Sequence, residues 1–271
     1  MKTLLLTTCA ALTLVMTPAM AQETSDTLVI AGASATGGYF SKAQTAAERL
    51  SQRGHVAEAV TTNGSQEITL GICSGQFTAG YTQIDAMFAR AKEGCALMPV
   101  ATYGVEYAIM LVPGDSDIGQ LSDLGSDNTV LINSEGSGAN LFWNTIVSIE
   151  QGEEGSDDDW AKAQTEAESF DMANTLAEFG SVDAVVVVAS LNSPVFTNLV
   201  SVGWEAIELW DKDINDQEFN GESLYASEKI KGTIGGSSIN EWGYEVRSFG
   251  VVTVETRQNR DLFSDLAAAL R

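Results

Sequence analysis

Three short polar segments carry the residue types best suited to chemistry. The first holds Ser34, Thr36, Gly37, Gly38 and Tyr39. The second holds Asn63, Gly64 and Ser65, and the third Ser134, Gly136, Ser137, Gly138, Ala139 and Asn140. Each follows an apolar run and precedes residues with helical periodicity, which marks a strand-to-helix turn. A helix N-terminus presents unpaired backbone N–H groups and about half a positive charge. It can therefore hold a carboxylate, phosphate or sulfate without a basic side chain. The glycines allow close backbone approach, while the hydroxyls and amides add directed polar groups. None of the three segments contains Lys or Arg. The chemistry they suit is reversible capture of a small anion by dipoles and hydroxyls. One such turn is ordinary punctuation; three in one chain point to a site.

Other chemistries fit poorly. Gly32 and Gly37 have Walker-A spacing, but Gly38 occupies the lysine position, so a phosphate-binding nucleotide loop is not supported. The first strand is not followed by G-x-G-x-x-G, and no G-x-S-x-G elbow occurs. The single histidine, His55, follows Arg53-Gly54 with no motif around it, which argues against a Ser-His-Asp triad and against catalysis. No His/Cys cluster has zinc spacing. Asp157, Asp158 and Asp159 read as a solvated acidic run without calcium-loop spacing. No metal and no cofactor are expected. Among the aromatics, Tyr39 directly follows the first turn and is the natural ligand contact. Tyr103, Tyr107 and Trp143 could also line a pocket, whereas Phe142 and Tyr81 read as core.

The elements that must position these turns alternate along the chain. An apolar run at 27–31 leads into a helix whose Phe40, Ala43, Ala47 and Leu50 share one face. Strands are expected at 55–60 and 77–81, with helices begun by Ile68 and Ile72 and by residues 85–91. A long extended run covers 103–112, and a strand at 128–133 leads to a helix striped by Ala139, Phe142, Ile146 and Ile149. Residues 151–159 read as a solvated loop, 170–179 as a helix, 182–189 as a buried strand and 190–194 as another turn opening a helix. Strands at 205–210 and 249–254 and a helix at 261–270 follow, and residues 211–245 resist assignment. Alternating strands and helices predict an α/β fold with mostly parallel sheet. The strand–turn–helix unit of the first turn recurs near residue 130, as two similar lobes would require. Turns of this kind lie at the carboxyl ends of parallel strands, where open α/β sheets bind ligands.

The start of the chain reads as an export signal. Lys2 provides the positive end, residues 4–15 the apolar stretch, and Ala19-Met20-Ala21 the small residues for cleavage, so residues 1–21 are expected to be removed. The stretch is too short for a membrane span, which needs about 20 apolar residues. Cys9 lies inside it rather than at a lipidation position. A soluble periplasmic protein with no direct membrane insertion is expected. The formal net charge of −23 repels phosphates, which excludes a nucleic-acid partner and disfavours an anionic membrane surface. With Cys9 removed, Cys73 and Cys95 form an even pair in an oxidising compartment and are expected to be disulfide-bonded, two buried free thiols being the alternative.

Several stretches resemble the TAXI family of TRAP-transporter solute receptors. Residues 28–39, reading LVIAGASATGGY, resemble its first strand and loop. Asn63-Gly64-Ser65-Gln66-Glu67 resembles its second motif, and residues 74–85, SGQFTAGYTQID, its third. Residues 101–107 and 134–139, the strand begun by Val182-Asp183-Ala184-Val185 and the turn at 190–194 are similar to later parts of the family. The resemblance implies a two-lobed type II periplasmic binding protein, each lobe a mostly parallel sheet flanked by helices, with the ligand cleft between. Lobe I would comprise residues 24–104 and 246–271, and lobe II residues 105–245, with crossings near Tyr103–Glu106 and near Ser248. The implied function is capture of a small carboxylate or amino acid for membrane transporter subunits. An ATP-driven importer of phosphate, sulfonate or amino acids, or a sensor kinase, would use the same kind of receptor. The three turns would bind the ligand with Gln83, Asp85, Ser190 and Asn192 at the rim. Asp85 could meet a ligand amino group or cap a helix.

Overall fold

The computed structural model describes residues 27–35, 38–152 and 158–271. The signal-peptide reading of residues 1–21, the ligand roles of Thr36 and Gly37, and Asp157 lie outside the described residues.

The first half of the fold is built from three strand–helix units. β1 (Leu28–Gly32) leads to α1 (Gly38–Gln52), β2 (Ala57–Thr61) to α2 (Ser65–Cys73), and β3 (Ala79–Gln83) to α3 (Ile84–Lys92). The strands pair in parallel in the order β2-β1-β3. α1 buries Tyr39, Ala43, Ala46, Ala47 and Leu50: the expected Ala43, Ala47 and Leu50 are there, but Tyr39 and Ala46 are buried with them and Phe40 is only half-buried. These side chains pack with Ile30, Ile68, Ile72 and Tyr81 in one apolar cluster. A disulfide between Cys73 and Cys95 ties the end of α2 to the turn after α3, with the Cα atoms 6.0 Å apart.

β4 (Leu97–Pro113) then runs for 17 residues into the second half. β5 (Thr129–Leu131), α4 (Gly138–Glu150), β6 (Gln164–Glu166), α5 (Ala173–Glu178), β7 (Ala184–Ala189) and α6 (Pro194–Ser201) follow. After them come β8 (Trp204–Ile207), α7 (Lys212–Asn215) and the small β9 (Glu218–Phe219) and β10 (Glu222–Ser223) pair. The chain returns through β11 (Ala226–Ile234) and β12 (Ser237–Thr253) to the final α8 (Arg260–Ala269). The main sheet runs β2-β1-β3-β12-β4-β7-β5-β6. Parallel groups lie at both ends, and the antiparallel β12 and β4 join them at the centre.

Residues 108–112 of β4 are buried on both faces, so their side chains alternate between two cores. Ala108, Met110 and Val112 enter a cluster with Phe142, Trp143, Ile146, Trp160 and Val186, while Ile109 and Leu111 join Val185, Val187, Phe196 and Leu199. That double burial explains the unbroken apolar run in the sequence. The region 211–245 resisted assignment because β11 is mostly solvent-facing and polar: Ile230 and Ile234 are its buried residues. Gly235 and Gly236, at φ 54° and 89°, close the two-residue turn into β12, which opposed left-handed geometry demands. β12 therefore starts 12 residues before the strand expected at Phe249. Among the described residues no helix is long and apolar enough to cross a membrane.

Candidate functional site

The turns at the carboxyl ends of β1, β2 and β5 converge on a cleft of about 540 Å³, lined from one side by Ser34, Gly38, Tyr39, Asn63, Gly64 and Ser65 and from the other by Asn133, Ser134, Ser137 and Gly138. The helices α1, α2 and α4 begin at these turns. The N-cap of α2 is Gly64, which supplies no capping side chain, so the first N–H groups of this helix have no side-chain cap. Ser137 caps α4 by accepting from the Asn140 N–H. Asn133 adopts φ 62°, a left-handed conformation that asparagine tolerates better than most residues.

The two sides of the cleft touch. The Gln66 N–H donates to the Gly136 carbonyl at 3.4 Å. Gly64 has φ 143°, and a Cβ there would lie 2.8 Å from the Gly136 carbonyl oxygen. A Cβ on Gly138 would stand 2.3 Å from the Gln83 amide nitrogen, and one on Gly38 would stand 2.3 Å from the Tyr103 hydroxyl. These glycines are the reason the walls approach so closely.

The floor of the cleft is a hydrogen-bond cluster centred on Glu106 of β4. Its Oε2 accepts from the Tyr39 hydroxyl at 2.6 Å, the Ser248 hydroxyl at 2.9 Å and the Gln83 amide at 3.1 Å. Tyr39 and Ser248 also lie 2.7 Å apart, oxygen to oxygen. Burial, then the Glu106 charge, pushes the Tyr39 phenol well above its ordinary range, so it stays a donor. All three donors meet Oε2, and among the described residues no hydrogen bond reaches Oε1. The Gln83 carbonyl oxygen is buried without a partner. Tyr103 stacks edge-on against Tyr39 with ring centroids 5.0 Å apart and completes the floor. The cleft lining contains Glu106 and Glu135 but no Lys or Arg. It therefore offers backbone and hydroxyl donors at the helix starts, and two acceptors at the floor.

The remaining sequence candidates lie elsewhere. Asp85 is 1% exposed and sits behind the cleft, in the first turn of α3. It accepts from the Tyr225 hydroxyl at 3.0 Å and the Ala86 N–H at 2.8 Å. It is thus neither at the rim nor the N-cap, a position held by Gln83. Burial pushes its carboxyl up to about 7, against the lowering effect of the Tyr225 bond. Gly136 packs on Gln66 outside the lining, and Ala139 is core. Asn140 accepts from the Gly136 N–H and faces a second cavity of about 580 Å³ lined mainly by the sides of α3 and α4. Ser190 and Asn192 are exposed, and Ser169 and Val188 line that side instead. His55 bonds Asp265 of α8 at 2.8 Å, away from the cleft lining. Sequence reasoning gave Glu106 no ligand role. Its signal was an acid midway along an otherwise apolar extended run.

No protein-family model matches the sequence, and no curated protein matches it. Similar solved structures do exist. A Xanthomonas citri protein bound to ATP aligns with TM-score 0.57 at 11% identity, over 90% of this chain and 82% of its own. The periplasmic aliphatic sulphonate binding protein of Escherichia coli aligns at 0.50 and 16%, over 90% and 71%. An ancestral arginine-binding protein bound to arginine aligns at 0.50 and 16%, over 90% of both chains. The chain has the fold of periplasmic binding proteins.

Proposed function

We propose that this protein is a periplasmic solute receptor whose cleft captures a small amino acid and delivers it to a membrane transporter. The ligand carboxylate sits among the N–H groups and hydroxyls at the starts of α1, α2 and α4. The ligand ammonium sits over the floor, between Glu106 Oε1 and the Gln83 carbonyl oxygen. The observation that carries this choice is the floor itself: the Glu106 carboxylate beside the buried, unpartnered Gln83 carbonyl oxygen, with no basic side chain among the described lining residues. A buried acceptor without a donor is costly, and an ammonium group supplies that donor. Two acidic side chains in the same lining repel a dianion such as phosphate or a dicarboxylate. Neighbours named for sulphonate and arginine binding are in keeping with a small-molecule receptor. The resemblance to the TAXI family makes a TRAP-type secondary transporter the recipient.

The two halves of the sheet are then lobes that hinge where β4 and β12 cross. Ser248 and Glu106 lie at that crossing, and the β4–β12 register shifts between Ser248 and Phe249. A bulge of this kind localises bending. The reading is tested by thermal shift of the purified mature protein against amino acids, amines, monocarboxylates, dicarboxylates, sulfonates and phosphate. An amino acid at about 100 times its Kd is expected to stabilise the fold by about 2.7 kcal/mol, with the matching amine or carboxylate far weaker. Stabilisation by phosphate or a dicarboxylate alone, or by nothing in the panel, sinks it.

A further inference from the structure

We propose that Glu150, Asp158 and Asp211 form a binding site for a hard divalent cation of the calcium class, separate from the cleft. One carboxylate oxygen from each of the three lies within 4.8 Å of the others. Calcium binds oxygen at about 2.3–2.6 Å, so ligands on opposite sides of one ion stand about 5 Å apart. The three oxygens can therefore share a single ion.

The second observation is the state of Glu150. It is 2% exposed, and both its carboxylate oxygens are buried without a well-formed hydrogen bond; the backbone group that acts on it is the N–H of Asp158, itself one of the three acids. A buried carboxylate ordinarily has its partners beside it. Here the nearest polar groups include two further carboxylates, whose mutual repulsion a dication would relieve. Among the described residues no Lys or Arg pairs with any of the three; Lys162 pairs with Asp159. Glu150 is also the last residue of α4, and the negative end of a helix favours a cation.

Asp211 is held in place before any ion arrives. Its Oδ1 accepts from the N–H groups of Asp213 and Ile214 at 2.7 and 3.3 Å, which caps α7. Its backbone N–H donates to the Tyr244 hydroxyl, which in turn donates to the Asp211 carbonyl. Asp158, exposed, closes the set from the solvent side. An all-oxygen donor set without nitrogen or sulfur selects calcium or magnesium over a transition metal. Ligands contributed by a helix end, a loop and a cap suit the adaptable coordination of calcium better than the strict octahedron of magnesium. The expectation of no metal came from residue spacing, and these positions are 8 and 53 residues apart in sequence.

The test is calorimetric titration of calcium chloride into chelator-treated mature protein, with terbium chloride luminescence excited through tryptophan as a second readout. Trp160 lies two residues from Asp158 and stacks on Trp143 at 5.8 Å, so a bound terbium ion would be sensitised. Expected are one saturable calcium site with Kd between about 10⁻⁵ and 10⁻³ M, weaker magnesium binding, and terbium emission displaced by calcium. Glu150→Gln and Asp158→Asn should each weaken binding at least about tenfold. Asp115→Asn, distant in sequence and exposed, and Glu106→Gln in the cleft should leave it unchanged. If Glu150→Gln does not fold, Asp158→Asn, at an exposed position, carries the test alone. No saturable binding at about ten times the upper Kd, or wild-type affinity in the foldable variants, overturns the site and leaves Glu150 as a carboxyl held protonated by burial.

Discussion

Glu106 and Asp85 show how two carboxyls near one cleft come to different uses. Glu106 lines the cleft with one oxygen bound by three donors, whereas Asp85 lies behind the wall against Tyr225. Glu106→Gln removes the charge while keeping the shape. If the ligand is an amino acid, its affinity should fall by roughly 10- to 150-fold, the range of a charge-assisted hydrogen bond. Calorimetry on the matching carboxylate without the amine should show little change. Asp85 makes a prediction about stability instead. Its carboxyl is raised from 3.8 to about 7 in the folded protein, so between those values the folded state binds more protons than the unfolded state. Its contribution therefore falls as pH rises from about 4 to 7. Asp85→Asn keeps an acceptor for the Ala86 N–H and should flatten that decline, raising the denaturation midpoint at pH 8 more than at pH 4.

At the scale of elements, the starts of three helices and the glycines Gly38, Gly64 and Gly138 decide how closely the walls meet. Gly138 is the sharper case, because a methyl group there would collide with the Gln83 amide. Gly138→Ala should leave the unliganded fold within about 1 kcal/mol while weakening ligand binding, and calorimetry beside chemical denaturation separates the two effects. The disulfide acts on α2 and α3, which carry one wall. It spans 22 residues, and in the chain-entropy view removing such a link costs about 3 kcal/mol. The Cys73→Ser, Cys95→Ser double variant should lose about that much stability in urea but keep its ligand preference, since neither cysteine lines the cleft.

At the scale of the whole molecule, β4 and β12 are the shared members of a sheet with a parallel group at either end. If they are the hinge between lobes, small-angle scattering should record a smaller radius of gyration when the thermal-shift ligand is added. Ser248→Pro, which removes the β12 hydroxyl from the Glu106 cluster and distorts the bulge, should abolish that change. An unchanged radius in wild-type protein at saturating ligand would refute closure.

Much of this architecture was legible in one dimension. The stripe of Ala43, Ala47 and Leu50, the apolar run through Met110 and the glycine-rich turns are local patterns, set by helix and strand periodicity and by the conformations glycine permits. They determine which elements form and which turns face the carboxyl ends of strands. Cysteine parity pointed to the Cys73–Cys95 pairing but left free thiols open; the fold decided it by bringing the two Cα atoms within 6.0 Å. The long polar β11–β12 hairpin was hidden because a strand with few buried residues carries no clear period. What only the tertiary structure decided is which distant residues share a volume. Glu106 meets Tyr39, Gln83 and Ser248, and Glu150 meets Asp158 and Asp211, through packing of elements far apart in the chain. Burial and like-charge proximity, which give these acids their chemistry, are properties of that packing and have no signature in local sequence.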